Sequence, residues 1–263
     1  MAIGKVEAYI HEILSTKGAM LFSVIDPLDH KSVEDAVKTA ESVVKGGADL
    51  VLVGGSIGAQ GEILDTVSKG IKEKVDVPLV LFPGNISTLT KYADAVYFMS
   101  LLNARNPYWI TQAQMLAAPV VKHMKIEPLP VGYIVIYPGG TVGWVGDVNF
   151  VPREKPKIAA NLALAGEYLG NRLIIVDTGS NPRMQHSGPA PKEMLAAVKS
   201  EITIPLVAAG GIVTANDARN AFQGGADIIQ IGTAFEGNAA AYKKAQLFSK
   251  IAKEEGAKKL KQF

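Results

Sequence analysis

Residues 46–54 read Gly46-Gly-Ala-Asp-Leu-Val-Leu-Val-Gly54, and residues 224–232 read Gly224-Gly-Ala-Asp-Ile-Ile-Gln-Ile-Gly232. In each stretch the paired glycines are typical of the end of a helix, and an aspartate follows in a short loop. A short, mainly apolar run then leads to a further glycine, which is typical of a buried strand. This partial internal repeat indicates a fold that is built from recurring strand–helix units.

Short apolar runs recur along the chain, and most are continuously apolar, as are strands that are buried on both faces of a parallel sheet. The eight runs are 20–26, 48–54, 78–82, 95–100, 129–137, 172–177, 204–209 and 227–231. Longer segments with apolar residues at helical spacing, such as 32–44 and 215–222, lie between them. Eight units of about 33 residues predict an α/β fold, the (β/α)8 TIM barrel, which normally takes roughly 250 residues. With no linker or low-complexity stretch, we expect residues 1–263 to form a single domain.

An open, doubly wound sheet is the alternative fold. It would place a glycine-rich phosphate loop after the first strand, but the chain has Asp26-Pro-Leu-Asp29 there. The longest irregular stretch, 138–156, follows the fifth predicted strand, and a loop of that length inside a compact domain is usually functional.

Composition narrows the class of protein. The 27 Lys and Arg residues against 25 Asp and Glu residues give a net charge of +2, which argues against a protein that binds nucleic acid through charge. No cysteine is present, which excludes disulfides, thiolate metal sites and cysteine nucleophiles. The charged N-terminal stretch does not resemble a signal peptide, and no run approaches the roughly 18 apolar residues of a membrane span. We therefore expect a cytoplasmic protein.

Glycines after the last two predicted strands indicate a phosphate site. Gly210-Gly211 follows strand seven and Gly232-Thr233 follows strand eight, the two loops that bind phosphate in many TIM barrels. Glycine lets backbone N–H groups approach phosphate oxygens. The alternative is that these glycines only permit tight turns.

Three polar side chains stand at other strand ends. Asp26 ends strand one, where it could hold Mg²⁺, act as a base or cap the next turn, and Ser56 follows strand two and could share the ion. Asp177 ends strand six toward the phosphate site, where it could accept a proton from a hydroxyl of a bound phosphate ester. The alternative for Asp177 is a cap of the loop at Gly179-Ser180.

The histidines, one apolar cluster and the C-terminal lysines are interpreted as structural residues without a role in the site. The four histidines have no metal-ligand spacing, and we expect them at the surface or in loops; they are His11, His30, His123 and His186. Core packing is favoured over a groove lining for the apolar cluster Phe98, Met99, Tyr108 and Trp109. The lysines at 258–261 are interpreted as a solvated helix end, with contact to an anionic membrane surface as the alternative.

Several segments resemble geranylgeranylglyceryl phosphate synthases, over nearly the whole chain. They are Ser23-Val-Ile-Asp-Pro27, Val53-Gly-Gly-Ser56, Phe82-Pro-Gly-Asn85, and the stretches 98–108, 132–143 and 152–156. The long loop 138–156 is typical of one of the two large groups of that family. The resemblance implies a TIM-barrel prenyltransferase that joins the C3 hydroxyl of sn-glycerol 1-phosphate to geranylgeranyl diphosphate, with Mg²⁺ present and diphosphate released. This reaction forms the first ether bond of archaeal membrane phospholipids.

The resemblance also assigns roles to residues of this chain. It places Mg²⁺ on Asp26 and Ser56 and makes Asp177 and Tyr133 the catalytic pair. It places the glycerol phosphate on Ile175, Val176, Asp177, Thr178, Gly179, Ser180, Asn181, Gly210, Gly211, Gly232 and Thr233. Many members read Tyr-Leu-Glu-Ala-Gly-Ser-Gly where this chain has residues 175–181, so the expected glutamate is the shorter Asp177 and the expected tyrosine is Ile175. Since family members are usually dimers or hexamers, a homo-oligomer is expected.

Two alternatives to this function remain at the level of sequence. One is another phosphate-handling barrel enzyme, such as a sugar-phosphate isomerase or an aldolase-like lyase. The other is a non-catalytic barrel that binds a phosphate ligand, which would need the glycines but neither Asp26 nor Asp177. The chain has no Asp-Asp-x-x-Asp motif, which excludes an all-helical, chain-elongating prenyl synthase. The accepted prenyl length is not encoded in a motif.

Overall fold

The computed structural model describes residues 2–236 and 240–261. Its eight parallel strands close into a barrel in the order β1 to β8, which confirms the predicted fold class. The strands are β1 (Met20–Ile25), β2 (Leu50–Val53), β3 (Leu79–Leu81), β4 (Ala95–Leu101), β5 (Glu127–Val135), β6 (Leu173–Asp177), β7 (Leu206–Ala209) and β8 (Ile228–Ile231). The helices are α1 (Lys5–Lys17), α2 (Val33–Lys45), α3 (Gly61–Lys72), α4 (Ala113–Met124), α5 (Gly140–Val145), α6 (Pro156–Tyr168), α7 (Lys192–Glu201), α8 (Ala215–Gln223) and α9 (Ala241–Leu260).

Alternation along the strands separates an interior core from an outer one. The interior cluster takes every second residue of the strands, for example Phe22 of β1 and Tyr97 of β4. Two outer clusters lie between strands and helices and contain the intervening residues, for example Leu21 and Ile25 of β1. Both faces of each strand are therefore apolar, which explains why the strands read as continuous apolar runs.

The aspartate of each sequence repeat fastens a neighbouring strand at the N-terminal edge of the barrel. Asp49 accepts a hydrogen bond of 2.9 Å from the backbone N–H of Leu21, and Asp227 accepts one of 2.9 Å from that of Leu206. The repeat thus has a structural role that is independent of the cavity at the opposite end of the barrel.

The helix α1 lies at the N-terminal end of the barrel. Its Val6 and Ile10 belong to the interior cluster. Glu127, at the start of β5, accepts hydrogen bonds from the backbone N–H groups of Val6 and Glu7 at 2.8 and 2.9 Å. These bonds satisfy donors of the first helical turn, which have no partner within the helix.

The helices α2 and α8 have side-chain caps at their starts. Ser32 precedes α2 and its hydroxyl accepts a hydrogen bond from the N–H of Asp35. Thr214 and Asp217 form a reciprocal capping box at the start of α8.

One prediction about the strand–helix alternation is wrong. In the described chain, residues 82–94 between β3 and β4 contain no helix. Asn85 accepts a hydrogen bond from the N–H of Ser87, an Asx turn that competes with helix formation, and Pro83-Gly84 precedes it. The outer side of β3 and β4 is consequently not covered by a helix of this segment.

The long stretch 138–156 is not wholly irregular, contrary to expectation. It contains α5, and Pro156 is already the first residue of α6. Isolated bridges pair Ala104 with Val148 and Ile136 with Val151, so the segment is tied to the barrel on both sides of residue 149.

His30 lies in a loop, as expected, and its side chain is 0 % exposed there. One surface assignment needs correction. Lys259 is not a solvated helix-end residue, because its Nζ contacts the carbonyl oxygen of Ala226 and the carboxylate of Asp227 at the N-terminal edge of the barrel. Within the described ranges, no helix is both long and apolar enough to cross a membrane.

Candidate active site

The C-terminal ends of the strands open into one large cavity. Eleven of the residues predicted for the site line this cavity, namely Asp26, Ser56, Tyr133, Asp177, Gly179, Ser180, Asn181, Gly210, Gly211, Gly232 and Thr233. The structure does not bring Ile175, Val176 or Thr178 to this wall. Ile175 lies one layer deeper in the interior cluster, and Val176 faces the outer cluster because successive side chains of a strand point to opposite faces.

Tyr133 and Asp177 form a buried pair on the floor of the cavity. The Tyr133 hydroxyl donates a hydrogen bond of 2.6 Å to Oδ2 of Asp177, and the N–H of Gly179 donates one of 2.6 Å to Oδ1. Burial raises the pKa of the Asp177 carboxyl, and the two hydrogen bonds oppose that rise. Burial and the neighbouring carboxylate raise the pKa of Tyr133 well above its usual value, so its hydroxyl stays protonated. The pair therefore consists of a fixed donor and a carboxylate with increased basicity.

The glycine loops after β7 and β8 adopt a backbone that fits an anion. Gly210 and Gly211 have φ angles of 80° and 71°, in the left-handed region that favours glycine. A Cβ on Gly211 would lie 2.9 Å from the backbone nitrogen of Pro189. In the described part of the chain, the N–H groups of Gly211 and Thr233 donate to no other group, so they are open to a ligand. The helix α8 starts just beyond this loop, and its dipole favours negative charge.

A cluster of carboxylates lies across the mouth of the cavity from Asp177. Burial raises the pKa of Asp26 to about 6; an N–H bond from Leu28 opposes that rise and the charge of Asp29 adds to it. Burial, followed by the charges of Asp29 and Asp26, raises the pKa of Glu236 to about 7. Sequence reasoning missed Glu236, which follows the last strand within a stretch that has no motif. Burial and the neighbouring carboxylates thus disfavour the ionised forms of Asp26 and Glu236, and a cation bound here would favour them.

Asp26 also caps the turn that follows β1, as one of its alternatives required. Its Oδ1 accepts a hydrogen bond of 3.0 Å from the N–H of Leu28. Its Oδ2 lies against Gly55, where a Cβ would be only 2.0 Å away. One carboxylate oxygen is thus used by the cap, while the other lies beside the glycine that precedes Ser56.

An apolar branch of the cavity extends between β4 and α4, next to the segment 82–94 that lacks a helix. The prediction of pure core packing for the aromatic cluster is wrong in part: Phe98, Met99 and Trp109 line this branch, although all three also pack against the core. The other apolar residues of the branch are Phe82, Ile86, Leu89, Val96, Leu101, Ala113, Ala117 and Val121. A long hydrocarbon chain fits such a lining.

Comparison with known proteins identifies the family. The profile of the PcrB family matches residues 11–251 of this chain. The chain belongs to the PcrB family. Geranylgeranylglyceryl phosphate synthase of Thermococcus gammatolerans is 51 % identical over 236 residues, which cover 90 % of this chain and 91 % of that protein. The synthase of Pyrococcus horikoshii is 50 % identical over 236 residues, which cover 90 % and 91 %.

A solved structure shows the same relationship within the PcrB family. The (S)-3-O-geranylgeranylglyceryl phosphate synthase from Thermoplasma acidophilum, in complex with its substrate sn-glycerol-1-phosphate, superposes with a TM-score of 0.89. It is 33 % identical, and the match covers 96 % of this chain and 100 % of that one. The predicted resemblance and the predicted class of enzyme, a prenyltransferase of lipid biosynthesis, are confirmed.

The donor set at Asp26 fits the Mg²⁺ that the family resemblance implies. A free carboxylate oxygen and a serine hydroxyl are hard oxygen ligands, and the carboxyl groups of Glu236 and Asp29 are close by. Among the described residues, no group of three or more His, Cys, Asp or Glu side chains is arranged to hold a metal ion. An ion at this place would therefore take most of its ligands from water and phosphate oxygens, as Mg²⁺ often does.

A cationic side chain that the sequence analysis missed reaches the cavity of this PcrB-family chain. Arg183 is the single basic residue among the described residues that line the wall. Its guanidinium contacts both carboxylate oxygens of Asp217 at 2.8 Å. The segment that carries it is held from the other side, because Arg153 donates hydrogen bonds to the carbonyl oxygens of Gly188 and Pro189. The position of Arg183 could not be predicted from the sequence, because residues 181–189 follow no strand or helix periodicity.

Proposed function

We propose that this chain joins the C3 hydroxyl of sn-glycerol 1-phosphate to C1 of geranylgeranyl diphosphate, giving geranylgeranylglyceryl phosphate and diphosphate. The observation that carries the proposal is the position of the Tyr133–Asp177 pair. The pair lies on the floor of a cavity that has a glycine-rich anion site on one side and an apolar branch on the other. That arrangement suits a reaction between a small phosphate ester and a long hydrocarbon chain.

The anion site orients the glycerol phosphate. The open N–H groups of Gly211 and Thr233 bind phosphate oxygens, and Arg183 supplies the positive charge. With the phosphate fixed after β7 and β8, the three-carbon chain extends toward β6 and brings its terminal hydroxyl to Asp177. Such orientation of two reactants accounts for a large part of the rate enhancement in enzymes of this kind.

Asp177 accepts the proton of the attacking hydroxyl. As the C3 oxygen bonds to C1 of the prenyl chain, the bond between C1 and the diphosphate oxygen breaks, and diphosphate leaves with the electron pair. Positive charge on C1 is delocalised over the adjacent double bond, so the apolar branch needs only to hold the chain and exclude water. Tyr133 keeps the carboxylate oriented through its hydrogen bond to Oδ2.

Asp26 and Ser56 would hold Mg²⁺ beside the diphosphate. When it is bound, the ion neutralises negative charge that develops on the leaving group. Asp29 and Glu236 add negative charge around this position, which strengthens the attraction for a divalent cation.

Other expectations remain predictions within this proposal. They are the single domain over residues 1–263, the cytoplasmic location, a homo-oligomer of two or six copies, and a peripheral contact with membranes. The pairing of Lys258 with Glu255 at 2.7 Å and of Lys259 with Asp227 at 3.1 Å leaves fewer free charges for such a contact than the sequence suggests.

The test is prenyl transfer by the purified protein with Mg²⁺, labelled glycerol phosphate and geranylgeranyl diphosphate. We expect one ether product from the sn-1-phosphate and much less from the sn-3-phosphate. Binding of glycerol phosphate without any ether product would favour the non-catalytic barrel and overturn the proposal. Prenyl diphosphates of several lengths in the same assay would give the accepted chain length.

A further inference from the structure

A second polar pair lies in the interior of the barrel, and the mechanism above does not use it. The hydroxyl of Tyr97 on β4 donates a hydrogen bond of 3.3 Å to Oε1 of Gln230 on β8. Tyr97 is 1 % exposed and Gln230 is 4 % exposed, and both line the cavity. The ring of Phe82 lies edge-on between this tyrosine and Tyr133, with ring centroids 5.6 and 5.9 Å away.

The fold itself does not require a polar residue at position 230. In the sequence repeat, Gln230 takes the place of Leu52, which is 0 % exposed within the same interior cluster. A buried amide costs stability unless its polar atoms are hydrogen-bonded. An amide at this position therefore calls for a partner.

The protein provides a hydrogen-bond partner for only one end of the amide. Oε1 of Gln230 accepts from Tyr97, but within the described residues Nε2 donates to no group. Nε2 is also not among the fully buried polar atoms that lack a partner, which means that it is accessible from the cavity. The open edge of the amide is thus available to a ligand.

Strand register places this amide at the level of Asp177, directly below the anion site. Asp177 pairs with Ala209 and Ala209 pairs with Gln230, so the three residues lie at one level of the barrel. With neighbouring strands about 4.8 Å apart, the backbones of Asp177 and Gln230 are roughly 10 Å apart across the small Ala209. The loops at Gly210 and Gly232 begin directly above this level.

We infer that Gln230 binds the C2 hydroxyl of glycerol phosphate and thereby determines specificity for a glycerol backbone. This inference rests on the proposed function. The phosphate is taken by the glycine loops and the C3 hydroxyl by Asp177, which leaves the C2 hydroxyl for the amide. A hydroxyl both accepts and donates, so it satisfies either edge of a carboxamide.

The test compares sn-glycerol 1-phosphate with 3-hydroxypropyl phosphate, the same chain without the C2 hydroxyl. For the wild-type protein we expect kcat/KM to be about 10- to 100-fold higher for glycerol phosphate, the range for leaving a buried amide unpaired. In Gln230→Leu, which restores the residue of the repeat, the ratio should fall to about 1 to 3, with the KM for the prenyl diphosphate unchanged. Gln230→Met is the second variant if the branched side chain impairs folding, which melting curves would show.

Tyr97→Phe is the matched control. It removes a hydroxyl from the same polar pair but leaves the open edge of the amide, so most of the selectivity should remain. A wild-type ratio in Gln230→Leu and Gln230→Met, or an effect confined to the prenyl diphosphate, would overturn the inference. Calorimetric affinities of the two phosphates without prenyl diphosphate give the same ratio independently of catalysis. Absence of ether product with preserved binding selectivity would refute the proposed reaction alone.

Discussion

Replacing Tyr133 with phenylalanine removes one hydroxyl and leaves the rest of the cavity floor in place. The ring keeps its edge-on contact with Phe82, at a centroid distance of 5.9 Å. What is lost is the hydrogen bond of 2.6 Å to Oδ2 of Asp177, after which only the N–H of Gly179 supports the carboxylate. The variant therefore changes the basicity of Asp177 with little change in shape.

The size of the effect follows from the strength of that bond. A hydrogen bond to a charged group contributes about 1.5 to 3 kcal/mol, and one pKa unit corresponds to about 1.36 kcal/mol. Because the bond favours the ionised carboxylate, its loss should raise the pKa of Asp177 further above a value that burial has already raised. The unprotonated fraction at a given pH falls accordingly.

The measurement is the pH dependence of prenyl transfer under saturating substrates. A general base must be unprotonated, so the rate rises with pH through the pKa of Asp177. In Tyr133→Phe this rise should move to higher pH, with a rate roughly 10- to 100-fold lower on the acidic limb and a plateau close to that of the wild type. Asp177→Asn is the control: it keeps the shape of the side chain and should lower the rate by roughly 100- to 10 000-fold at every pH.

Two results would refute the assignment of Asp177 as base. One is an unshifted pH profile in Tyr133→Phe, and the other is a rate in Asp177→Asn close to that of the wild type. Asp177→Glu keeps a carboxylate base and changes only its reach. Because the added methylene restores the length of the family's usual glutamate, this variant should retain activity.

Three further predictions concern the rest of the cavity. Asp26→Asn should abolish most prenyl transfer, with partial recovery at raised Mg²⁺ and unchanged affinity for glycerol phosphate by calorimetry; full turnover would refute the metal assignment. Gly232→Ala should fold normally, because its new Cβ would lie 3.3 Å from Val24 at an ordinary φ. Gly211→Ala has a φ of 71° and should lower the free energy of unfolding, measured by chemical denaturation, by about 1–2 kcal/mol. Equal stability of the two variants would contradict the argument from backbone conformation. Burial and its acidic neighbours raise the pKa of Glu236 to about 7, so its stabilising contribution is complete below about pH 4.5 and is lost as the pH rises toward 7. Melting temperatures of Glu236→Gln should decline less over that interval, and parallel curves would refute the shift.

The barrel was predictable because its pattern is local and repeated. Each strand is apolar on both faces, so a continuous apolar run marks it, and the observed bounds differ from the predicted ones by only a few residues. The third run, 78–82, contains β3 at Leu79–Leu81, and the seventh, 204–209, contains β7 at Leu206–Ala209. Long-range pairing then follows from the order of the strands.

Two segments differ from the predicted pattern of helices: 82–94 lacks an expected helix, and 138–156 contains an unexpected one. Both differences depend on contacts that leave no pattern in the sequence. The turn at Asn85 and Ser87 replaces a helix after β3, and the bridge between Ala104 and Val148 orders the long loop around α5. Neither contact has a periodicity. The apolar branch of the cavity arises next to 82–94, so its position was equally hidden.

The site could be predicted only where a strand-end rule applied. That rule found Asp26, Ser56, Asp177 and the glycine loops, and the family resemblance added Tyr133. The strand-end rule missed Arg183 and Glu236, because both lie several residues beyond the end of a strand and the rule covers only the strand end itself. Gln230 is a different case, since its departure from Leu52 in the repeat was visible and only the cavity gives it a meaning.

The distribution of charge around the cavity predicts which of the two substrates needs a divalent cation to bind. The described wall carries the carboxylates of Asp26, Asp29, Asp177 and Glu236 against the single cation Arg183. Two polyanionic substrates can enter such a cavity only if other positive groups compensate their charge. Backbone N–H groups and Arg183 do so for the single phosphate after β7 and β8, but nothing in the described wall does so for a diphosphate beside Asp26. We therefore expect glycerol phosphate to bind without a divalent cation and the diphosphate substrate to require one. Calorimetry with and without Mg²⁺ measures both affinities. Equal dependence of the two ligands on Mg²⁺ would contradict this separation of the anion sites.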